Sequence, residues 1–198
     1  MQKQVNANRS KYAVRYLEFM SETVTQPDFG FSNWFGRSVV VRDGQPLEVY
    51  HGSAASHPIP FKMRSKSINS TTLGDVATTR RGAFFTANPA FAAQYGTRVG
   101  GYFLSLQHPA EITRDRMLDF ADSLDAFTER DLWVLAKYQT KPWIFFDGEL
   151  GERFVHYLIA AGFDGATFHE DVESPAGESI EGTTFVAFHP QQIRHVSK

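Results

Sequence analysis

Short strand-like runs and short helical runs interleave along this 198-residue chain without a strict strand–helix–strand repeat. That ordering points to an α+β fold. Val39-Val40-Val41 and Leu47 to Val49 read as strands joined across Asp43-Gly44, a strong hairpin signal. Asn88-Pro89 opens a short helix through Tyr95, with Asn88 as the cap and Pro89 at the first helical position. Val99 to Leu106 alternates as a strand. Residues 113–137 read as two helices, with Leu118, Leu124, Phe127, Leu132, Trp133 and Leu135 turned inward. A helix over 154–159 ends at Gly162, and Asp164-Gly165 turns into the strand Ala166-Thr167-Phe168. A polar loop over 170–182, including His169-Glu170-Asp171 at its entrance, leads to a last strand over 184–188.

Two further regions bracket this core. Residues 10–24 have helical apolar spacing, with Ser10 as a cap. Gln26-Pro27-Asp28 breaks the pattern, which divides the chain into a helical extension, 1–30, and a domain, 31–198. Residues 58–82 lose periodicity and carry Lys62, Arg64, Lys66, Arg80 and Arg81 against the single acid Asp75. They read as a solvated surface loop or as a contact to a phosphate-bearing ligand.

Composition narrows the function classes. At 42% hydrophobic residues the chain can bury a core, and a net charge of -2 exerts no overall pull on nucleic acid or anionic membranes. The absence of cysteine excludes disulfides and thiolate metal sites. The seven histidines show no metal-binding spacing, and no metal is expected. The first thirty residues hold no apolar run fit for a signal peptide or a span, so a soluble, cytoplasmic protein without a membrane partner is expected. Most of the 18 phenylalanines must be core, leaving a few to line a site that stacks flat rings.

Two motifs carry the chemistry. Glu48-Val49-Tyr50-His51-Gly52-Ser53 ends a short alternating run in a histidine and a glycine. Gly82-Ala83-Phe84-Phe85-Thr86 is followed by Pro89, Ala92 and Tyr95. With the preceding segment from Phe31 through Trp34, Gly36, Gly44 and Pro46, the first motif resembles the opening of the ADP-ribosyltransferase domains of phage and mobile-element polyvalent proteins. The second resembles their next motif. Phe163-Asp164-Gly165 and Phe185-Val186-Ala187-Phe188-His189-Pro190-Gln191-Gln192-Ile193 resemble their C-terminal strands. The likeness runs from about Phe31 to Val196 in the family's order.

The resemblance implies two packed small β-sheets forming an NAD+ cleft with flanking helices, and NAD+ as substrate. In the wider group of poly(ADP-ribose) polymerases and diphtheria-toxin-like enzymes the signature is His, Tyr, Glu. His51 matches the histidine and contacts a ribose hydroxyl. Gly52 matches the glycine whose backbone meets the nicotinamide carboxamide, with Ser53 beside it. Phe84 matches the stacking tyrosine without its hydroxyl, and Tyr95 matches the second stacking aromatic. Of Phe84 and Phe85, one faces the pocket and its neighbour the core. Arg81 is a candidate for the pyrophosphate.

The glutamate departs from the pattern, because Thr184 stands in its place. Either Glu181, three residues earlier, supplies the carboxylate, with Glu178 a weaker candidate, or Thr184 serves the ribose uncharged. The activity implied is mono-ADP-ribosyl transfer to a macromolecular acceptor, protein ahead of nucleic acid, in a phage or effector host modifier. An NAD+ or ADP-ribose binding module, an NAD+ glycohydrolase and an RNA 2'-phosphotransferase relative remain as alternatives.

Overall fold

A computed structural model of the chain describes residues 30–54, 66–70, 76–124, 141–173, 177 and 179–196. The chain divides into two units, residues 1–34 and 35–198. The expected helix over 10–24, Glu178, and the second half of the 113–137 helical stretch lie outside the described residues. At the end of the first unit a short helix, α1 (Phe31–Phe35), begins, and the Phe31 and Trp34 rings meet with centroids 5.7 Å apart.

In the second unit, β1 (Val41–Arg42) and β2 (Gln45–Pro46) form the expected hairpin in shortened form. Asp43 and Gly44 both have positive φ, 52° and 74°, the geometry of a tight two-residue turn. The strand that follows, β3 (Val49–Ser53), leaves this ribbon for the main sheet. The stretch expected as a surface loop instead contains β4 (Lys66–Ser70) and β5 (Val76–Arg80), paired antiparallel. Aperiodic Ser/Thr-rich sequence gave no alternation to reveal these strands.

The main sheet has seven strands in the order β11-β7-β3-β6-β10-β9-β8. Its members are β3, β6 (Ala83–Thr86), β7 (Arg98–Leu104), β8 (Pro109–Glu111), β9 (Gly165–Glu173), β10 (Ser179–Ala187) and β11 (Ile193–His195). All neighbours are antiparallel except β8 with β9. The expected pair of small sheets takes the form of one sheet with a near-break. Between β3 and β6 the ladder narrows to a single pair, Tyr50↔Thr86.

The polar loop expected over 170–182 is mostly strand, because β9 and β10 extend to Glu173 and from Ser179. Asp164 closes the turn into β9, its carboxylate accepting from the backbone N–H groups of Gln107 (2.6 Å) and His108 (2.9 Å). The last strand is β11 rather than β10, reached through a 3₁₀ turn at Pro190–Gln192.

Among the described residues three helices complete this unit: α2 (Pro89–Ala93), α3 (Arg114–Asp122) and α4 (Gly148–Ala160), the last preceded by a 3₁₀ segment at Pro142–Phe146. The α2 start follows the expected chemistry. Asn88 Oδ1 accepts from the N–H groups of Ala90 and Phe91, and Pro89 occupies the first turn, where its missing N–H costs nothing. On α3 the inward face is Met117, Phe120 and Ala121, whereas Leu118 is 49% exposed, a correction to the expected packing. The two sheet faces bury separate cores. One is built on Phe120, Phe145, Phe146, Phe154, Phe168 and Val186, the other on Val40, Val49, Phe85, Tyr102, Leu104 and Ala187. Among the described residues phenylalanine is thus chiefly core, as the composition implied.

Candidate active site

The near-break in the sheet creates the site. Beyond Tyr50, the β3 residues His51 to Ser53 are paired on one side to β7, while β6 has diverged on the other. The His51 side chain bridges the opening: its Nδ1 lies 2.8 Å from the backbone carbonyl of Phe84. A carbonyl only accepts, so Nδ1 donates, and in the neutral ring Nε2 is then the acceptor. This bond sets the tautomer and aims the ring.

Gly52 and Gly96 bring a second wall against β3. A Cβ on Gly52 would overlap the carbonyl oxygen of Ala92 in α2, and one on Gly96 would overlap the Ser53 carbonyl. Two backbones touch here without intervening side chains, which only glycine permits. The glycine expected to admit a ligand therefore admits a helix on the face where its Cβ would project. Tyr95 lies between α2 and Gly96 in the chain. Tyr95 is 44% exposed, its ring 5.8 Å from that of Phe91.

Phe84 and Phe85 divide as alternation requires. Phe85 is buried among the second core, with its ring 5.4 Å from His51 and 5.3 Å from Tyr102. Phe84 is part-buried on the opposite face, edge-on to Phe146 at 5.4 Å and Phe168 at 6.2 Å. It walls the site from the helical core.

The face bearing Phe84 carries a row of polar side chains across adjacent strands. Register sets Tyr50 beside Thr86 and Thr86 beside Thr184. Thr184 then donates its hydroxyl hydrogen to Glu170 Oε1 on β9, at 2.5 Å. Thr184 is 2% exposed and Glu170 7%. The row lies on a seam. Gly182, one step before Thr184 on this face, sits near the Phe91 ring of α2, whereas Val186, one step after, belongs to the core under α4.

Glu181, expected to reach this seam, does not. It occupies an odd position of β10 and projects to the other face, with Oε2 3.8 Å from His169 Nε2 and both side chains largely exposed. There it lines a shallow concavity of about 330 Å³ with Arg42, Leu47, Asn88, Thr183 and Phe185. Sequence reasoning missed Glu170. Continuing the buried alternation Ala166, Phe168 by one more step lands on it, but its polar neighbours His169 and Asp171 disguised the strand as a loop.

Arg81 is turned toward the protein. Its Nη2 donates to Glu152 Oε2 on α4 at 2.6 Å, and its backbone N–H donates to the Phe146 carbonyl at 2.8 Å. Nearby, burial lowers the His156 pKa; Glu152 opposes that shift and Arg81 adds to it. Among the described residues no group of three or more His, Asp or Glu side chains is arranged to hold a metal ion. No helix among them is long and apolar enough to cross a membrane.

Comparison with known proteins bears on this site. A family model described as "ADP-Ribosyltransferase in polyvalent proteins" matches residues 42–198. No curated protein matches the chain. A solved structure described as the crystal structure of an anti-CRISPR protein aligns at 18% identity over 77% of this chain and 97% of that one. Its TM-score of 0.33 is too low for the likeness to support an inference.

Proposed function

Because the chain belongs to the ADP-ribosyltransferases found in polyvalent proteins, we propose that it transfers one ADP-ribose unit from NAD+ to a macromolecular acceptor and releases nicotinamide. The observation that carries this reading is the bridged opening between β3 and β6. There His51, next in sequence to Gly52, has its ring pinned by the Phe84 carbonyl, while α2, against which Gly52 packs, leads to the exposed Tyr95 ring. In such a slot the Gly52 backbone is the proposed partner of the carboxamide. Tyr95 offers a face for the nicotinamide ring, and His51 Nε2 an acceptor for a ribose hydroxyl.

Cleavage of the bond between ribose C1' and nicotinamide N1 passes through an oxocarbenium-like state. The electron pair leaves with nicotinamide, and the ribose carries the positive charge. Holding the ring flat and the hydroxyls fixed favours that state over the ground state. A protein side chain is the acceptor we favour over nucleic acid, given the net charge of -2. A phage or effector protein that modifies its host is the setting we propose.

Incubation with labelled NAD+ and a cell lysate tests the reading. Wild type is expected to label a discrete target and to release nicotinamide, and His51→Ala to lose both. Nicotinamide release without label would replace transfer by glycohydrolysis. Binding of NAD+ with neither outcome would reduce the domain to a binding module.

A further inference from the structure

Resting on that reading, we propose that Glu170 supplies the carboxylate that faces the nicotinamide ribose, and that Thr184 is the residue that positions it. A ribose that becomes cationic needs negative charge held at the reacting face before the bond breaks. Among the described side chains of β9 and β10, Glu170 is the acidic one on the face shared with Phe84 and Thr184; Asp171 and Glu181 project to the other side. The ladder from Tyr50 through Thr86 and Thr184 leads across the sheet from the His51 strand to this carboxylate.

Three features suit Glu170 to the task. The Thr184 hydroxyl donates to Oε1, which selects a rotamer and keeps the carboxylate turned along the sheet. Gly182 pairs with Glu170 across β9 and β10, so no side chain stands beside the carboxylate on that strand. The position of a Cβ there is bounded by Thr86 Oγ1 at 3.2 Å and Phe91 Cδ2 at 3.7 Å, both on buried residues of the seam. Finally, at 7% exposure Glu170 lies in a low local dielectric, which strengthens any charge interaction made there.

In the reaction, the C1'–N1 bond breaks and its electron pair departs on nicotinamide, which leaves neutral. Glu170 accepts a hydrogen bond from a ribose hydroxyl and offsets the charge on the sugar. A lone pair of the acceptor forms the new bond to C1', and the acceptor's proton passes to solvent. Glu170 exchanges no proton in these steps.

The experiment measures nicotinamide release from NAD+ by chromatography, and NAD+ binding by calorimetry, on full-length variants checked by thermal melting. Glu170→Gln is expected to lower the rate about 100-fold while the NAD+ Kd moves less than about 3-fold. Thr184→Ala is expected to lower kcat about 10-fold with KM held, and Thr184→Ser to restore most of it. Moving the carboxylate to β10, in Glu170→Gln combined with Thr184→Glu, is expected to recover at least about 10-fold over Glu170→Gln alone. Asp171→Asn serves as the surface control.

Should Glu170→Gln fold poorly, Glu170→Asp decides: it keeps the charge and is expected to outperform the glutamine variant, and equality of the two overturns the proposal. A Glu170→Gln enzyme with more than half the wild-type rate also overturns it, as does a Thr184→Ser enzyme no better than Thr184→Ala. A wild-type protein that binds NAD+ but releases no nicotinamide removes the transferase reading and this assignment together. An active wild type matched by an active Glu170→Gln removes the assignment alone.

Discussion

The outer halves of β9 and β10 present two faces of opposite character. On one, Phe168, Glu170 and Thr184 are buried, and the polar pair is joined by a 2.5 Å hydrogen bond. On the other, His169 and Glu181 approach to 3.8 Å while remaining mostly in water, a pairing worth less than about 1 kcal/mol. Glu181 is three residues from Thr184 in sequence and turned away from it; Glu170 is fourteen residues away and bonded to it. In a sheet, parity and cross-strand register outrank sequence distance. The carboxylate that matters here is identified by which face it shares, and variants on the two faces should therefore diverge sharply.

The largest difference is expected where backbone meets backbone. Gly52→Ala forces a methyl into the Ala92 carbonyl and should cost about 3 kcal/mol by chemical denaturation. Ser53→Ala, one step along on the opposite face, should cost less than about 0.5 kcal/mol. Equal effects would mean that α2 does not rest on β3 as described.

Next come the two glutamates. Glu170→Gln should reduce nicotinamide release about 100-fold, about 2.7 kcal/mol of barrier, and Glu181→Gln should lose less than a tenth as much. The reverse order would return the carboxylate role to the exposed face.

A third contrast lies at the core end of β10. Burial lowers the His189 pKa to about 4. The unfolded chain takes up this proton below about pH 6.5, whereas the folded state resists until about pH 4. Stability that is complete above about 6.5 should therefore decline by roughly 2 kcal/mol between pH 7 and 4.5. Melts of His189→Gln across that range should show a flatter profile; an unchanged slope would assign the acid sensitivity elsewhere.

The smallest effect is expected at Arg81. Its pair with Glu152 is part-exposed, so Arg81→Ala should cost under about 1 kcal/mol. The KM for NAD+ should shift less than about 3-fold. A larger rise in KM would move the guanidinium from the helix to the pyrophosphate.

Much of this architecture is legible in the chain itself. Asp43-Gly44 dictates a turn that few other pairs adopt, Asn88-Pro89 dictates a helix start, and Gly162 closes α4 with φ near 91°. Each acts within a few residues, where local geometry decides. The regions that misled are those where polar, aperiodic sequence pairs between consecutive strands. The ribbon of β4 and β5 and the extension of β9 and β10 gain their hydrogen bonds from the facing strand, and no apolar alternation within either segment announces them. Leu118 shows the same limit on a helix, since helical spacing allows two adjacent stripes and only packing selects between them.

For the site, the sequence alone determined the residue types and their order: an imidazole and a glycine at one strand end, paired aromatics on the next motif, and a tyrosine just beyond a helix. Those are local requirements of binding a flat ring and a sugar. Only the tertiary structure decided that Gly52 accommodates α2, that Arg81 turns to Glu152, and that Thr184 reaches across to Glu170. The reason is geometric. A strand settles which of its neighbours face together, but which carboxylate meets which hydroxyl depends on the register in which neighbouring strands pair.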